Sequence, residues 1–221
     1  MCSIKDLLDL SHTLAAPLFE KAEYPWQVLP ELDAFIRALG PTLPPEEYDQ
    51  TAPNVWVAKS AVVAPTASIT GPCIIGPGTE VRHCAFIRGS ALVGAWAVVG
   101  NSTELKNALL FDGVQVPHYN YIGDSILGYK AHMGAGAITS NVKADRALVR
   151  VRDGERVYET GLRKFGAVLG DFVEVGCNAV LNPGTIIGRE SMVYPLSCVR
   201  GVVPPRSIFK NNGEIVPKSE K

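Results

Sequence analysis

The sequence lacks the features that would direct it to a membrane, to nucleic acid or to an oxidising compartment. No apolar run approaches the roughly 18 residues of a spanning helix, and no basic segment followed by an apolar one opens the chain. The formal net charge is -1, so bulk electrostatics favour neither nucleic acid nor a membrane surface as partner. The five cysteines include no CxxC pair, which is typical of reduced thiols. We expect a soluble, cytoplasmic protein with one sizeable core.

The chain is rich instead in a six-residue repeat. An apolar, mostly β-branched residue occupies every sixth position from Val57 to Phe111, and the same spacing returns from Leu169 to Val199. Four positions after most of them stands a small residue, such as Ala61 or Ala67. Neither the helical nor the strand period explains a repeat of six residues. A β-solenoid does, because each six-residue repeat forms one short strand and one corner of a coil. We therefore predict stacked coils with the large aliphatic side chains inside.

The segments outside the repeat predict a helical start, an excursion and a tail. Apolar residues at helical spacing indicate two short helices, at about 3–15 and 26–39, before a proline-rich connector, so we assign residues 1–53 to this part. We assign 54–205 to the solenoid. Within it, alternation around Asp153-Gly154 predicts a β-hairpin excursion over 142–166. Residues 206–221 are expected to form a surface tail.

Between Gly100 and Asn141 the repeat is interrupted by residues that its spacing does not demand, including His118. We interpret the repeat as the scaffold and this interruption as part of a site. Arg88 and Lys106 are 18 residues apart, which is three hexapeptides and hence one turn of a triangular coil. They are expected to stack on one face, where two cations repel unless an anion lies between them, and this spacing favours a ligand.

Several segments together resemble one known family: VGNSTELKNALL, HYNYIGDSILG, MGAGAITSN, TGLRKFGAVLGD, VEVGCN and LNPGTIIG. They are similar to the C-terminal acetyltransferase domain of GlmU and of the archaeal-type bifunctional sugar-1-phosphate nucleotidylyltransferase/acetyltransferases, over about residues 56–204. The resemblance implies a hexapeptide-repeat acyltransferase with a left-handed parallel β-helix. It further implies acetyl-CoA as acyl donor and an amino-sugar 1-phosphate as acceptor, either glucosamine 1-phosphate or galactosamine 1-phosphate.

The resemblance also implies an assembly, a homotrimer with the active site between subunits. Outward apolar residues such as Leu92, Trp96 and Val98 are expected to form the contact face. The first fifty residues contain no glycine-rich nucleotide loop, so we expect no nucleotidyltransferase domain and no uridylyl transfer.

By alignment with the family's motifs, individual residues receive roles. His118 matches the catalytic base, whose task suits a group titrating near neutrality. The residues expected to hold the sugar phosphate are Arg88, Lys106, Tyr121 and Lys164. Glu104 is expected to orient a base, bind a hydroxyl or neutralise the neighbouring lysine. His132 stands where the GlmU pattern has an asparagine that contacts the sugar.

The acyl donor is expected to meet Ala135, Asn141 and Cys177. Cys177 is interpreted as a lining residue. The run Gly134-Ala135-Gly136 is expected to offer backbone N–H groups to the thioester oxygen. Arg146 and Arg150 are expected either to meet the phosphates of CoA or to be solvated.

Two other interpretations stay open. A γ-class carbonic anhydrase on the same fold would need a third zinc ligand near His83 and His118, but Ile122 and Gly123 stand where the pairing belongs, so no metal is expected. A non-catalytic β-helix would bind a nucleotide sugar or act as an assembly scaffold.

Overall fold

The computed structural model describes residues 2–219, so the first residue and the last two of the expected tail lie outside the described residues. The α-helices are α1, Ile4–Leu7, and α2, Leu32–Leu39. Short 3-10 helices are Leu10–His12, Ala16–Phe19, Pro25–Glu31 and Gly40–Thr42. Strands before the excursion are β1 Tyr48–Ala52, β2 Val55–Ala58, β3 Val62–Val63, β4 Ser68–Thr70, β5 Cys73–Ile75, β6 Glu80–Val81, β7 Phe86–Arg88, β8 Ala91–Val93, β9 Val98–Asn101, β10 Glu104–Leu110, β11 Gln115–His118, β12 Tyr121–Leu127, β13 His132–Met133 and β14 Ile138–Thr139. The later strands are β15 Arg150–Asp153, β16 Arg156–Glu159, β17 Ala167–Leu169, β18 Glu174–Val175, β19 Val180–Leu181, β20 Thr185–Ile187, β21 Met192–Val193, β22 Cys198–Val199, β23 Val202–Val203, β24 Ser207–Phe209 and β25 Ile215–Pro217.

The coils stack into a prism with three faces of parallel strands. The first face contains β2, β5, β8, the second halves of β10 and β12, β17, β20 and β23. The second contains β3, β6, β9, β11, β13, β18, β21 and β24. The third contains β4, β7, the first halves of β10 and β12, β14, β19 and β22. The expected fold class, a mainly β protein with a parallel β-helix, is confirmed.

The interior ladder shows why the period of six works and where it shifts. On the first face Ile75 pairs with Val93, and both side chains are fully buried. Val93 then pairs with Leu110, 17 residues on, rather than with Phe111. Phe111 instead packs edge-on against Phe19 of the N-terminal part, with ring centroids 6.2 Å apart. The period of six therefore holds up to Leu105, and the next residue of the interior ladder is Leu110, one position before the expected Phe111.

The N-terminal part lies on the first face of the solenoid. Its helices are shorter than expected: α1 ends at Leu7, and the second begins as a 3-10 helix that contains Pro30 before α2 starts. The Ser90 hydroxyl on the solenoid donates to the Asp33 carboxylate in α2 at 3.0 Å. Leu92, expected on an outward contact face, is fully buried, since α2 covers its strand. That expectation is wrong for Leu92, whereas Trp96 is 73% exposed.

The excursion forms the expected hairpin, with β15 antiparallel to β16. It is packed rather than free, because Val149, Val151 and Phe165 are fully buried and Tyr158 contacts the Trp26 ring edge-on.

The end of the chain differs from the expected surface tail. β24 pairs in parallel with β21 on the second face, and β25 pairs back on β24 in antiparallel fashion. This pairing covers an edge that would otherwise expose unpaired backbone groups. Among residues 2–219, no helix combines the length and apolar character needed to cross a membrane.

Candidate functional site

His118, Ala135 and Cys177 lie above one another at the corner between the second and third faces. The stacking follows from backbone hydrogen bonds: Gly136 N donates to His118 O at 3.0 Å, and Asn178 N donates to Ala135 O at 2.8 Å. His118 and Cys177 are exposed. The hydrogen bonds found within residues 2–219 involve the backbone of His118 and leave its imidazole without a partner. The structure thus brings three of the expected residues into one column.

A buried asparagine that the sequence pattern did not single out holds this corner in place. Asn120 accepts from His118 N at 3.1 Å and donates to the carbonyls of Gly134 and Ala137 at 2.8 and 3.0 Å. A Cβ at Gly134 would lie 2.8 Å from Cys177 N, so only glycine permits this approach between coils. The corner is therefore preorganised around His118.

The backbone N–H groups of the glycine run are not all available. Gly134 N donates to Val175 O at 2.7 Å and Gly136 N to His118 O at 3.0 Å. The expectation that the whole run offers donors to an oxyanion is wrong, because ladder bonds between coils occupy both glycines. Among the hydrogen bonds of residues 2–219, Ala135 N–H has no acceptor.

A polar cluster occupies the adjoining third face, where Glu104 pairs in register with Phe86 below and Tyr121 above. The Arg88 Nε donates to Glu104 Oε1 at 2.5 Å. The Lys106 Nζ contacts both oxygens of Asp124, at 2.8 and 3.0 Å. Arg88 and Lys106 do stack as expected, but the chain itself supplies an anion to each. Their spacing therefore does not require a ligand, and Glu104 neutralises the arginine rather than the neighbouring lysine.

Asp124, which is not among the residues expected from the sequence, is the centre of this cluster. Its side chain is 5% exposed and also accepts from Asn107 Nδ2 at 2.9 Å and from Asn141 Nδ2 at 2.5 Å. The period of the repeat did not locate it, because the register between β10 and β12 is 17 residues rather than 18 and pairs Lys106 with Gly123. Asn141, expected to contact acetyl-CoA, instead bonds here to Asp124 and, at 3.2 Å, to the Tyr121 hydroxyl.

The charges of the cluster alter two of its members. Burial, followed by the negative charges of Asp124 and Glu104, raises the pKa of Tyr121 above its ordinary value. The hydrogen bond to Glu104 is the main cause that raises the pKa of Arg88, and Tyr121 adds to it. Tyr121 is thus held as a phenol and Arg88 as a cation, so both can donate hydrogen bonds to an anionic group.

Other expected site residues lie apart from this cluster. His132 is on the second face, beside Gln115, and its Nδ1 lies 2.7 Å from Glu174 Oε2. Lys164 is exposed, and the backbone N of the next residue, Phe165, donates to Asn141 O at 2.9 Å, so the lysine borders the cluster.

The excursion arginines and the histidines give no further support to their expected ligands. Arg150 pairs with Glu159 at 2.8 Å on the hairpin. His83 lies two coils below His118 with Asn101 between them, since Ser102 N donates to His83 O and Tyr119 N to Asn101 O. Over residues 2–219 no group of three or more His, Cys, Asp or Glu side chains is arranged to hold a metal ion.

The chain is similar to one protein family and to several curated proteins. The family model described as the GMPPB C-terminal domain matches residues 69–193. The chain is 32% identical over 195 residues to the bifunctional protein GlmU of Methanococcus maripaludis, covering 87% of this chain and 47% of the relative. It is 30% identical over 135 residues to the bifunctional sugar-1-phosphate nucleotidylyltransferase/acetyltransferase of Sulfurisphaera tokodaii, covering 61% of this chain and 32% of that relative. The chain spans less than half the length of these curated relatives.

Among solved structures, the acetyltransferase domain of PglB from Neisseria gonorrhoeae, in complex with acetyl coenzyme A, aligns over 74% of this chain and 57% of that one. The sequence identity is 19% and the TM-score is 0.39.

Proposed function

The chain belongs to the GMPPB C-terminal domain family, and we propose that it acts as an acetyl-CoA-dependent N-acetyltransferase on an amino-sugar 1-phosphate, either glucosamine 1-phosphate or galactosamine 1-phosphate. The observation that carries the proposal is the corner column, in which the His118 imidazole lies one coil from the Ala135 N–H and neither group has a hydrogen-bonding partner among the described residues. The names of the curated relatives, which include an acetyltransferase, support the same reaction class.

Each residue of the column has a defined part in the transfer. Acetyl-CoA supplies the acetyl group as a thioester. His118 accepts the proton that the acceptor's amine loses as its nitrogen bonds to the carbonyl carbon, and delivers it to the sulfur when the C–S bond breaks. Ala135 N–H donates to the carbonyl oxygen while negative charge develops there. Cys177 lines the thioester's side of the corner and forms no bond to the acetyl group.

The polar cluster on the third face is the proposed phosphate subsite. Glu104 accepts from Arg88 Nε, which leaves the terminal nitrogens of the half-exposed guanidinium for a phosphate. Arg88 and Lys106 are balanced by Glu104 and Asp124, so the additional cation comes from Lys164, which forms no ion pair among the described residues. A dianionic phosphate at the terminal nitrogens of Arg88 is therefore opposed by the negative charge of Glu104 on Nε, and Lys164 offsets part of that repulsion.

The proposed assembly is a homotrimer that completes the site between subunits. In the column next to His118 and Cys177, Tyr119 is 66% exposed and Leu196 is 72% exposed. Apolar side chains so exposed beside a site favour a protein contact there. Light scattering should give three times the 23.7 kDa mass of one chain, and a monomer would contradict the proposal.

The test is release of CoA thiol from acetyl-CoA in the presence of each acceptor. We expect His118→Ala to lower the rate by about 10²- to 10⁴-fold, as loss of a general base does. His83→Ala is the matched control, because it removes an exposed histidine from the same column two coils away. Cys177→Ser should retain activity. If neither acceptor releases thiol above the level of His118→Ala, the proposed reaction is wrong.

A second candidate, a non-catalytic β-helix that binds a nucleotide sugar or acts as a scaffold, is favoured by one observation. Both stacked cations already have internal anions, so this cluster is stable without a substrate. Calorimetric binding of a UDP-sugar with no thiol release from either acceptor would select this candidate.

A further inference from the structure

A cavity of about 380 Å³ lies at a different corner from His118, between the first and second faces. Three segments enclose it: residues 11–14 of the N-terminal part, residues 43–48 of the connector, and the solenoid corners that include Pro77 and Asp112. This volume is within the range of small-molecule sites. None of the residues that line it belongs to the proposed acetyltransferase site.

Tyr48 supplies the first indication of a ligand. It lines the cavity and is only 8% exposed, and the hydrogen bonds found within residues 2–219 leave its hydroxyl without a partner. The hydroxyl is not one of the fully buried polar atoms that lack a partner, so water reaches it from the cavity. A ligand with a hydrogen-bond donor would replace that water.

Asp112 supplies the second indication of a ligand. Its Oδ1 accepts from Ala95 N at 2.7 Å, while Oδ2 has no donor among the described residues. Burial raises the pKa of this carboxyl, since its charge is poorly solvated. Glu47 lines the cavity as an exposed second carboxylate. The lining itself contains no lysine, arginine or histidine, although His12 lies next to Asp112 behind the wall and a positive charge on it would act on that carboxyl. The lining therefore offers hydrogen-bond acceptors and negative charge.

We propose that this cavity binds a small organic ammonium ion with a short apolar arm. An ammonium group has three N–H donors, which suit Asp112 Oδ2 and the Tyr48 oxygen together. Leu14, Leu43 and Pro77 form the apolar wall for the arm. Since the lining combines the N-terminal part with the solenoid, the bound ion holds the two together.

Isothermal titration calorimetry with pentylamine at neutral pH tests the proposal directly, with 1-pentanol as the neutral control of similar shape. We expect pentylamine to bind and 1-pentanol to bind at least about tenfold more weakly, as the loss of a charge-assisted hydrogen bond implies. A third titration uses Nα-acetyl-lysine amide, which mimics a lysine side chain of a protein. Binding of pentylamine without binding of this amide identifies a free amine as the source of the ammonium, and binding of both allows a protein lysine. Equal binding of amine and alcohol, or no binding of any amine probe, would overturn the proposal.

Variants locate the binding. Asp112→Asn keeps an acceptor for Ala95 N but removes the charge, so it should weaken the binding of pentylamine by about tenfold. Tyr48→Phe should weaken this binding less, because it removes only a neutral hydroxyl. Glu47→Gln has a matched control in Glu46→Gln, because both residues are exposed and only Glu47 lines the cavity. Unchanged affinity in Asp112→Asn would refute the assignment. These variants should leave thiol release unaltered, so the cavity and the proposed reaction can fail independently.

Discussion

Asp124→Asn is the sharpest test of how the third face is held together. The carboxylate accepts from Lys106, Asn107 and Asn141, all through side-chain nitrogens. The amide that replaces it has no charge, and its NH2 group would face these donors. Asp124 has a φ of 47°, in the left-handed region, and asparagine adopts this region as readily as aspartate. The substitution therefore changes the electrostatics without adding backbone strain.

The magnitude follows from the burial of the pair. Removing one partner of a fully buried ion pair costs about 3–5 kcal/mol, and a hydrogen bond to a charged group contributes about 1.5–3 kcal/mol. Because the Lys106 side chain is 23% exposed, water solvates part of its charge, and we expect a loss of about 3 kcal/mol. For a chain of this size that corresponds to a fall in the thermal midpoint of roughly 6–12 °C.

Thermal and urea denaturation measure this loss, with Asp49→Asn as the control. Asp49 is an exposed carboxylate 3.8 Å from Lys59, so its substitution should hardly change the midpoint. The double variant with Lys106→Met should be less destabilised than the sum of the single variants, because it leaves no unpaired charge. Equal effects of Asp124→Asn and Asp49→Asn, or an additive double variant, would refute this account of the cluster.

Three further predictions concern the rest of the fold. In the folded protein a thiol reagent should label three of the five cysteines and reach all five only on unfolding, since burial raises the pKa of Cys73 to about 12. The three exposed thiols are Cys84, Cys177 and Cys198. Burial raises the pKa of Asp112 in the folded state, so the parent protein loses unfolding free energy as this carboxyl ionises. Urea titrations at several pH values should therefore show Asp112→Asn gaining stability relative to the parent as the pH rises above about 4. Gly100→Ala should lose at least about 1–3 kcal/mol of unfolding free energy, because its Cβ would overlap the Pro117 carbonyl, and an unchanged urea midpoint would contradict this.

The sequence alone determined the repeating part of the molecule. A period of six defines both the inward ladder and the vertical spacing of 18, and these predicted the solenoid and the stacking of Arg88 with Lys106. The hairpin around Asp153-Gly154 was predicted for a similar reason, because its turn is encoded locally. Such features depend on near neighbours in the chain or on identical coils.

Only the tertiary structure decided what each coil meets. A coil of 17 residues moves Leu110 into the ladder, which the period of six could not show. The N-terminal part covers Leu92, and His132 faces a different side of the prism from Lys106. Which backbone N–H groups stay available was equally hidden, since bonds between coils occupy those of Gly134 and Gly136. Periodicity fixes which residues recur on a face, whereas coil length and the docking of non-repetitive segments decide which of them are free to bind a ligand.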